Sequence, residues 1–359
     1  MNEPAVDEAR AWADLEAVLL ALIRALEALG FIGRYLHPPE LERLMTAVGD
    51  PDTALREARP RLAGWPDSLA GARDALGAAA DEALLAFDDL RAASDMRAIF
   101  RALRHTPQAL EAFYRLAPVL PPVSRYFLDP TARADPEAIA RLDAAQPRDD
   151  TGVFHFDNQP GTRGGFSLYV PEYYSPDHPL PLVMALHGGS GHGRAFLWSW
   201  LAAARGQGAI VVAPTAAGGT WALAGDDVDT PKLLRILDLA RGRYAVDPSR
   251  LLLTGMSDGG TFSYVSGLEA ASPFTHLAPI AASFHPFLVE MADPGRLRGL
   301  PIHIVHGALD WMFDVEVART ARRVLAAAGA AVTYLEVDDL SHTYPREANR
   351  AILAWLTGS

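Results

Sequence analysis

Residues 250–262 read RLLLTGMSDGGTF, and the rest of the chain can be placed from them. Leu251, Leu252, Leu253 and Thr254 form an apolar run of strand character. Gly255 stops it, and Ser257, Asp258, Gly259 and Gly260 open a helix of small residues. Gly-x-Ser-x-Gly between a strand and a helix requires a turn so tight that the serine is strained and its hydroxyl exposed, so the flanking positions must lack a Cβ. Gly255 and Gly259 meet that need. The helix that starts here also aims unpaired backbone N–H groups at the serine, where they favour developing negative charge. A five-residue match alone is equally a glycine-rich βα turn, so the reading depends on partners for Ser257.

Partners follow in order. A strand-like run, PIHIVHG (301–307), is followed by Asp310, and a last run, AVTYLEV (331–337), leads through a polar turn to His342. The order Ser, acid, His, with acid and base on loops after later strands, suits a nucleophile, base and orienting acid. His342 is the only histidine beyond Asp310, so the base is fixed once the acid is accepted. Asp314, four residues on, is an alternative acid. Upstream, PLVMALHGG (181–189) is a buried strand ending in His-Gly-Gly, and the N–H of Gly189 with that of Asp258 is expected to form an oxyanion site.

With these motifs in hand, residues 153 to 358 resemble the α/β-hydrolase fold, in the branch holding phospholipase/carboxylesterase-type enzymes, feruloyl esterases and polyhydroxybutyrate-depolymerase-like esterases. The stretches carrying the resemblance are GTRGGFSLYVP (161–171), LHGGSGHG (186–193), GMSDGG (255–260), HGALDWMFDV (306–315) and Ser341-His342. It implies a serine esterase with Ser257, Asp310 and His342 as its triad and no cofactor or metal. These motifs specify fold and triad but not substrate.

The length of 359 residues exceeds one ordinary domain, so a catalytic domain with an accessory one is expected. The net charge of −12 splits into −8 over residues 1–150 and −4 over the remainder, which speaks against nucleic acid or an anionic membrane as a partner. Cysteine is absent, removing disulfides, thiolate nucleophiles and cysteine-ligated metal. That absence favours the cytoplasm, with a secreted form whose leader has been removed left open. The first thirty residues have an apolar stretch interrupted by acids and no basic start, so they are read as an amphipathic helix, neither signal peptide nor membrane span.

Residues 1–128 are expected to form an all-α domain. Trp12, Leu15, Leu19, Leu22, Ile23 and Leu26 recur at steps of three and four, and Leu69, Leu76, Leu84, Phe87 and Leu90 make a second stripe after Pro66-Asp67-Ser68. Thr106-Pro107 signals the start of another helix. Residues 129–152 read as a linker with one short helix. For the helical domain a homodimer surface, a folding support and a cap over the site compete, the first two being favoured because hydrolase caps are more often inserted between strands.

From Val153 short strands and helices alternate: VFHF, GFSLYVPEYY, PLVMALHGG, AIVVAP (209–214), the nucleophile strand, APIAASF (278–284), PIHIVHG and AVTYLEV. A helix from about Ala195 and one starting at Asp229-Thr230-Pro231, with Leu233, Ile236, Leu237 and Leu239 facing a sheet, lie between. The fold class is therefore α/β, a mostly parallel sheet covered by helices over residues 153–359, preceded by the helical domain.

Other residues are weighed against ordinary structural roles. His187 is read as a structural histidine. His192 and His285 are placed near the site without a catalytic role, and His303 and His306, three apart on a strand, face opposite sides and do not share a metal. The Asp258 carboxylate would disfavour acidic substrates, although a helix cap or a salt bridge is its commoner use. Trp198, Trp200, Trp221 and Trp311 all follow strand ends, and about two of the four are expected to reach the pocket. Trp221, Trp311 and Ser190 are the expected substrate contacts. An aromatic site without an evident Arg or Lys clamp points to uncharged short acyl or aryl esters or polyester oligomers. A serine peptidase or amidase of the same fold is the alternative enzyme, and a non-catalytic interaction protein is the alternative outside enzymes.

Overall fold

The computed structural model describes residues 3–358, with side chains from residue 10; Met1, Asn2 and Ser359, at the ends of the two expected domains, lie outside the described residues. The chain divides into two compact units, Met1–Phe127 and Leu128–Ser359.

The first unit is helical: α1 (Glu3–Tyr35), α2 (Leu41–Val48), α3 (Thr53–Ala58), α4 (Ala70–Ala92), α5 (Met96–Leu103), α6 (His105–Tyr114) and α7 (Pro121–Tyr126). Leu22, Leu26, Leu29 and Ile32 of α1, Ala79, Ala80, Ala83 and Phe87 of α4 and Phe113 of α6 are buried. The start of the α1 stripe differs from expectation. Stepping back from Leu22 by helical intervals gives Val18 and Ala11, both buried, while Trp12 falls on the outer side at 66% exposure. Thr106 does not open a helix either. The ring of His105 bonds Glu82 at 2.7 Å and Asp89 at 3.2 Å on α4, so α6 begins at His105 and Thr106 is buried within it. Among the described residues, no helix is long and apolar enough to cross a membrane.

The second unit begins with the stretch expected to be a linker. It holds two short helices, α8 (Pro130–Arg133) and α9 (Pro136–Asp143), because Asp129-Pro130 and Asp135-Pro136 each supply a capping carboxylate followed by a proline at the first helical position. Leu128, Ala132 and Leu142 are buried together with Tyr173 packed on them, and Arg141 lies over the Tyr173 ring at 4.3 Å. The two short helices thus pack as a small apolar cluster of this unit.

Eight strands follow: β1 (Gly152–Phe156), β2 (Phe166–Val170), β3 (Leu180–Leu186), β4 (Ile210–Pro214), β5 (Val246–Met256), β6 (His276–Ile280), β7 (Pro301–Gly307) and β8 (Ala331–Val337). They form one sheet in the order β1-β2-β4-β3-β5-β6-β7-β8. β2 runs antiparallel to β1 and β4, and every other neighbouring pair is parallel. Leu182–Leu186 and Leu251–Leu253 have no exposed surface, as strands covered on both faces must. The helices between them are α10 (Gly193–Gln207), α11 (Thr230–Arg243), α12 (Asp258–Gly267), α13 (Phe287–Met291), α14 (Pro294–Leu297) and α15 (Val315–Ala327), and α16 (Ala348–Thr357) follows β8. α10 packs on β4 and α16, α12 on β5 and β6, and α15 on β7 and β8. On α11 the buried positions are Leu233, Ile236, Leu237 and Ala240; Leu239 points outward at 63% exposure, being two residues from Leu237 and so on another face. The expected strand 278–284 ends early, at Ile280, where Ala281 takes φ +46°.

Because β3 to β8 are parallel, the loops that leave β3, β5, β6, β7 and β8 emerge at one edge of the sheet. That edge is where an open α/β sheet offers a site.

Candidate active site

Ser257 leaves β5 with φ 55° and ψ −121°, a backbone conformation that costs a side-chain-bearing residue about 1–3 kcal/mol. The turn survives because its neighbours are glycines. A Cβ on Gly255 would sit 2.5 Å from the Gly259 carbonyl carbon, one on Gly259 2.4 Å from the Leu186 oxygen, and one on Gly260 2.8 Å from the Gly255 oxygen. All of these obstacles are backbone, which cannot move aside. The Ser257 N–H donates to Ile280 O on β6 at 2.9 Å, and the Thr261 hydroxyl donates to Ser257 O at 3.1 Å. A serine thus stands on a glycine-lined turn at the carboxyl end of a central parallel strand, in a sheet whose second strand alone is antiparallel to both its neighbours. The chain has the α/β-hydrolase fold.

In this hydrolase fold the loops after β7 and β8 bring Asp310 and His342 to Ser257. His342 Nδ1 lies 2.8 Å from Asp310 Oδ2 and 3.0 Å from Oδ1, and Nε2 lies 3.0 Å from Ser257 Oγ. An ionised carboxylate only accepts, so Nδ1 carries the proton and Nε2 has its lone pair free to accept from the serine hydroxyl. All three side chains are buried. Burial pushes the Asp310 pKa up, but the hydrogen bond from His342 and those from the N–H groups of Phe313 and Met312, each 2.9 Å, outweigh it and hold the carboxylate below its ordinary value. Asp314, the alternative acid, is turned away: its carboxylate caps α15 by accepting from the Glu316 N–H at 2.9 Å.

The loop after β3 forms the opposite wall. A Cβ on Gly188 would be 3.5 Å from Ser257 Cβ. Ser190 takes φ +55°, a left-handed conformation rare outside glycine, and its N–H donates to Gly219 O at 2.9 Å. The N–H of Asp258 is the first of α12 and has no acceptor within the helix. His187 fixes the loop from below. Its Nε2 accepts from the Ala216 N–H at 3.1 Å, so Nδ1 is the donor to Gly188 O at 2.6 Å, and burial pushes its pKa down from 6.5 to about 4.

The tryptophans divide unevenly. Trp221 does not reach an open site: it is buried, its Nε1 donates to His187 O at 2.7 Å, and it stacks on Phe262, so the indole shapes the His-Gly-Gly loop from the core. Trp198 and Trp200 are buried in α10 as well. Trp311 is 45% exposed with its ring centroid 6.3 Å from that of His342. Of the four expected after strand ends, one is open, because the ends of β3 and β4 lead into a packed helix, which holds Trp198 and Trp200, and into a loop folded against the core, which holds Trp221.

His192 caps α10, accepting from the Arg194 N–H, and burial pushes its pKa down. His285 accepts from the Phe287 N–H at the start of α13. His303 and His306 do face opposite sides of β7. His303 lies against the Trp355 ring, while His306 Nε2 is 2.8 Å from Phe313 O and 3.4 Å from Asp310 Oδ2. Two contributors escaped the sequence reading. Phe313 packs its ring edge-on to His342 at 5.4 Å, and Thr220 donates from Oγ1 to Asp258 Oδ2 at 2.5 Å. Phe313 is signalled only by its place three residues after the acid, and Thr220 by nothing local.

No family model matches the chain. It is similar to a bifunctional acetylxylan esterase/xylanase of Neocallimastix patriciarum, 28% identical over 159 residues, which cover 43% of this chain and 22% of that protein. The chain thus matches less than a quarter of that relative's length. Among solved structures it is similar to a thermostable esterase (23% identity, 58% of this chain and 63% of that one, TM-score 0.48). A truncated carbohydrate esterase from gut microbiota (15% identity, 59% and 98%, TM-score 0.49) and Arabidopsis thaliana SOBER1 (17% identity, 50% and 98%, TM-score 0.42) are similar too.

Proposed function

We propose that this protein hydrolyses carboxylic esters through an acyl-enzyme, with Ser257 as nucleophile, His342 as general base and acid, and Asp310 orienting the imidazole. The observation that carries the reading is the unbroken series from Asp310 through His342 to Ser257 at 2.8 and 3.0 Å, on a serine held in a strained turn. A serine hydroxyl at its own pKa is a poor nucleophile near neutral pH, so a base at hydrogen-bond distance is what attack requires.

His342 Nε2 takes the hydroxyl proton as Oγ attacks the ester carbonyl carbon, and the carbonyl electron pair moves onto oxygen. The N–H groups of Gly189 and Asp258 are assigned to that oxyanion, each such donor contributing about 3 kcal/mol in comparable sites. The intermediate collapses by breaking the bond to the alcohol oxygen, which leaves with the proton from His342. Water then gives a proton to His342 and attacks the acyl carbon, and the second intermediate collapses by breaking the bond to Ser257 Oγ, which takes the proton back from His342 as the acid leaves. The chemistry needs no group beyond these side chains and N–H donors.

For substrate, uncharged short acyl or aryl esters and polyester oligomers are the classes favoured. Trp311 and Ser190 are assigned as substrate contacts; both are exposed, and the Trp311 ring centroid lies 6.3 Å from that of His342. The test is hydrolysis of p-nitrophenyl esters from acetate to palmitate by wild type and Ser257→Ala. Turnover that peaks at short chains and vanishes in the variant supports the reading; a folded wild type inert toward every member overturns it.

A further inference from the structure

The carboxylate of Asp258, next to the proposed nucleophile, has neither of its commoner uses, a helix cap or a salt bridge. No side chain caps α12 at Ser257, and Asp258 forms no ion pair with an arginine or lysine among the described residues; its Oδ2 accepts from Thr220 Oγ1 instead. That bond lays the carboxylate across the loop after β3. An ideal Cβ on Gly189 would be 2.6 Å from Asp258 Oδ2 and 4.0 Å from Thr220 Oγ1, so the acid group lies directly against the residue whose N–H is assigned to the oxyanion. Thr220 sits in the loop after β4, and that loop is tied to Ser190 by the bond from its N–H to Gly219 O. The position of the charge is therefore set by two loops.

A carboxylate without a cationic partner at this place has a cost for turnover, since it repels the negative charge that develops on the carbonyl oxygen. It also has a consequence for selection, because it repels any substrate carrying a second negative charge near the scissile bond and attracts one carrying a hydrogen-bond donor. We propose that Asp258 is a specificity-determining residue of the ester-hydrolysing site: it rejects esters with an anionic acyl group and favours acyl groups bearing a hydroxyl or a cation close to the carbonyl. This inference rests on the ester-hydrolase reading above. At a separation of one acyl chain, with intermediate screening, the discrimination is about tenfold for each charge.

The experiment compares kcat/KM for four p-nitrophenyl esters that share a leaving group: butyrate, 3-hydroxybutyrate, hemisuccinate and a trimethylammonio-acyl ester. Wild type, Asp258→Asn and Asp258→Ser are measured in parallel. The ratio of hemisuccinate to butyrate is expected to rise about tenfold in both variants, and the ratios of the cationic and hydroxylated esters to butyrate to fall. A merely structural role for Asp258 would lower all four rates together and leave the ratios alone. Should the variants fail to fold, wild type alone decides: raising salt from about 0.05 to about 1 M shortens the screening length and must raise the hemisuccinate ratio toward one. Ratios that move neither with substitution nor with salt overturn the charge preference alone. A wild type that hydrolyses not even the butyrate ester overturns the ester-hydrolase reading and this inference with it.

Discussion

Two loops at the same edge of the sheet are built on different physics. The turn after β5 is shaped by exclusion: Gly255, Gly259 and Gly260 are there because any Cβ would run into backbone, and Ser257 is held between them at φ 55° and ψ −121°. The loop after β7 is shaped by attraction. One carboxylate, Asp310, gathers the N–H groups of Met312 and Phe313 and the His342 imidazole, and nothing in its backbone forbids another residue. A steric site tolerates almost no substitution but asks little of its surroundings. A hydrogen-bonded site tolerates many substitutions as a fold and very few as chemistry.

The largest effect expected from this contrast is in rate. Asp310→Asn keeps the size of the side chain yet offers the imidazole an amide that favours the wrong tautomer, so kcat toward p-nitrophenyl acetate should fall roughly ten-thousand-fold while thermal unfolding moves little. In the turn after β5 the balance is reversed. Gly259→Ala should cost about 4 kcal/mol or more, read as a large fall in the unfolding midpoint or as failure to accumulate folded protein. If Gly259→Ala is stable, the steric account of this turn is wrong.

His187 is intermediate, since it shapes the loop after β3 by hydrogen bonds and only while neutral. Its pKa is about 4 in the folded state against 6.5 unfolded. A depressed pKa contributes stability that is fully present above 6.5 and lost as pH falls toward 4, because the unfolded chain then binds the extra proton; the size is about 3 kcal/mol. Urea unfolding of wild type and His187→Gln should therefore show a gap near neutral pH that narrows by pH 4.5. A gap of constant size would contradict the assignment. The smallest effect belongs to Asp314→Ala, which removes a helix cap worth about 1 kcal/mol and should leave kcat within twofold. Loss of activity there would move the acid role from Asp310 to Asp314.

The same contrast explains what was legible in the sequence. Gly-x-Ser-x-Gly could be read because the steric requirement is local and each glycine is visible as a letter. The alternation of strands and helices was readable for a similar reason, since burial on both faces shows as continuous apolar runs such as Leu251–Leu253. The choice between Asp310 and Asp314 could not be made from the letters, because both can accept N–H groups two residues on and only the tertiary position of His342 separates them. Trp221 misled because a residue after a strand end is placed by its own loop, here folded inward so that the indole N–H meets His187 O. Trp12 misled because helical spacing fixes which residues share a face but not where the face ends. The two helices of residues 130–143 were partly visible in their Asp-Pro pairs, but their burial against Tyr173 depends on residues some thirty to forty positions later.

Hydrolysis by this route passes through a covalent acyl group on Ser257. Acid quenching during turnover of p-nitrophenyl acetate, followed by peptide mass spectrometry, reads it directly. The expected result is one acetyl group on the peptide containing Ser257, present early, lost as substrate is exhausted, and absent from Ser257→Ala. Steady hydrolysis by a wild type that never carries acetyl on that peptide, or carries it elsewhere with equal kinetics, would rule out an acyl-enzyme at Ser257.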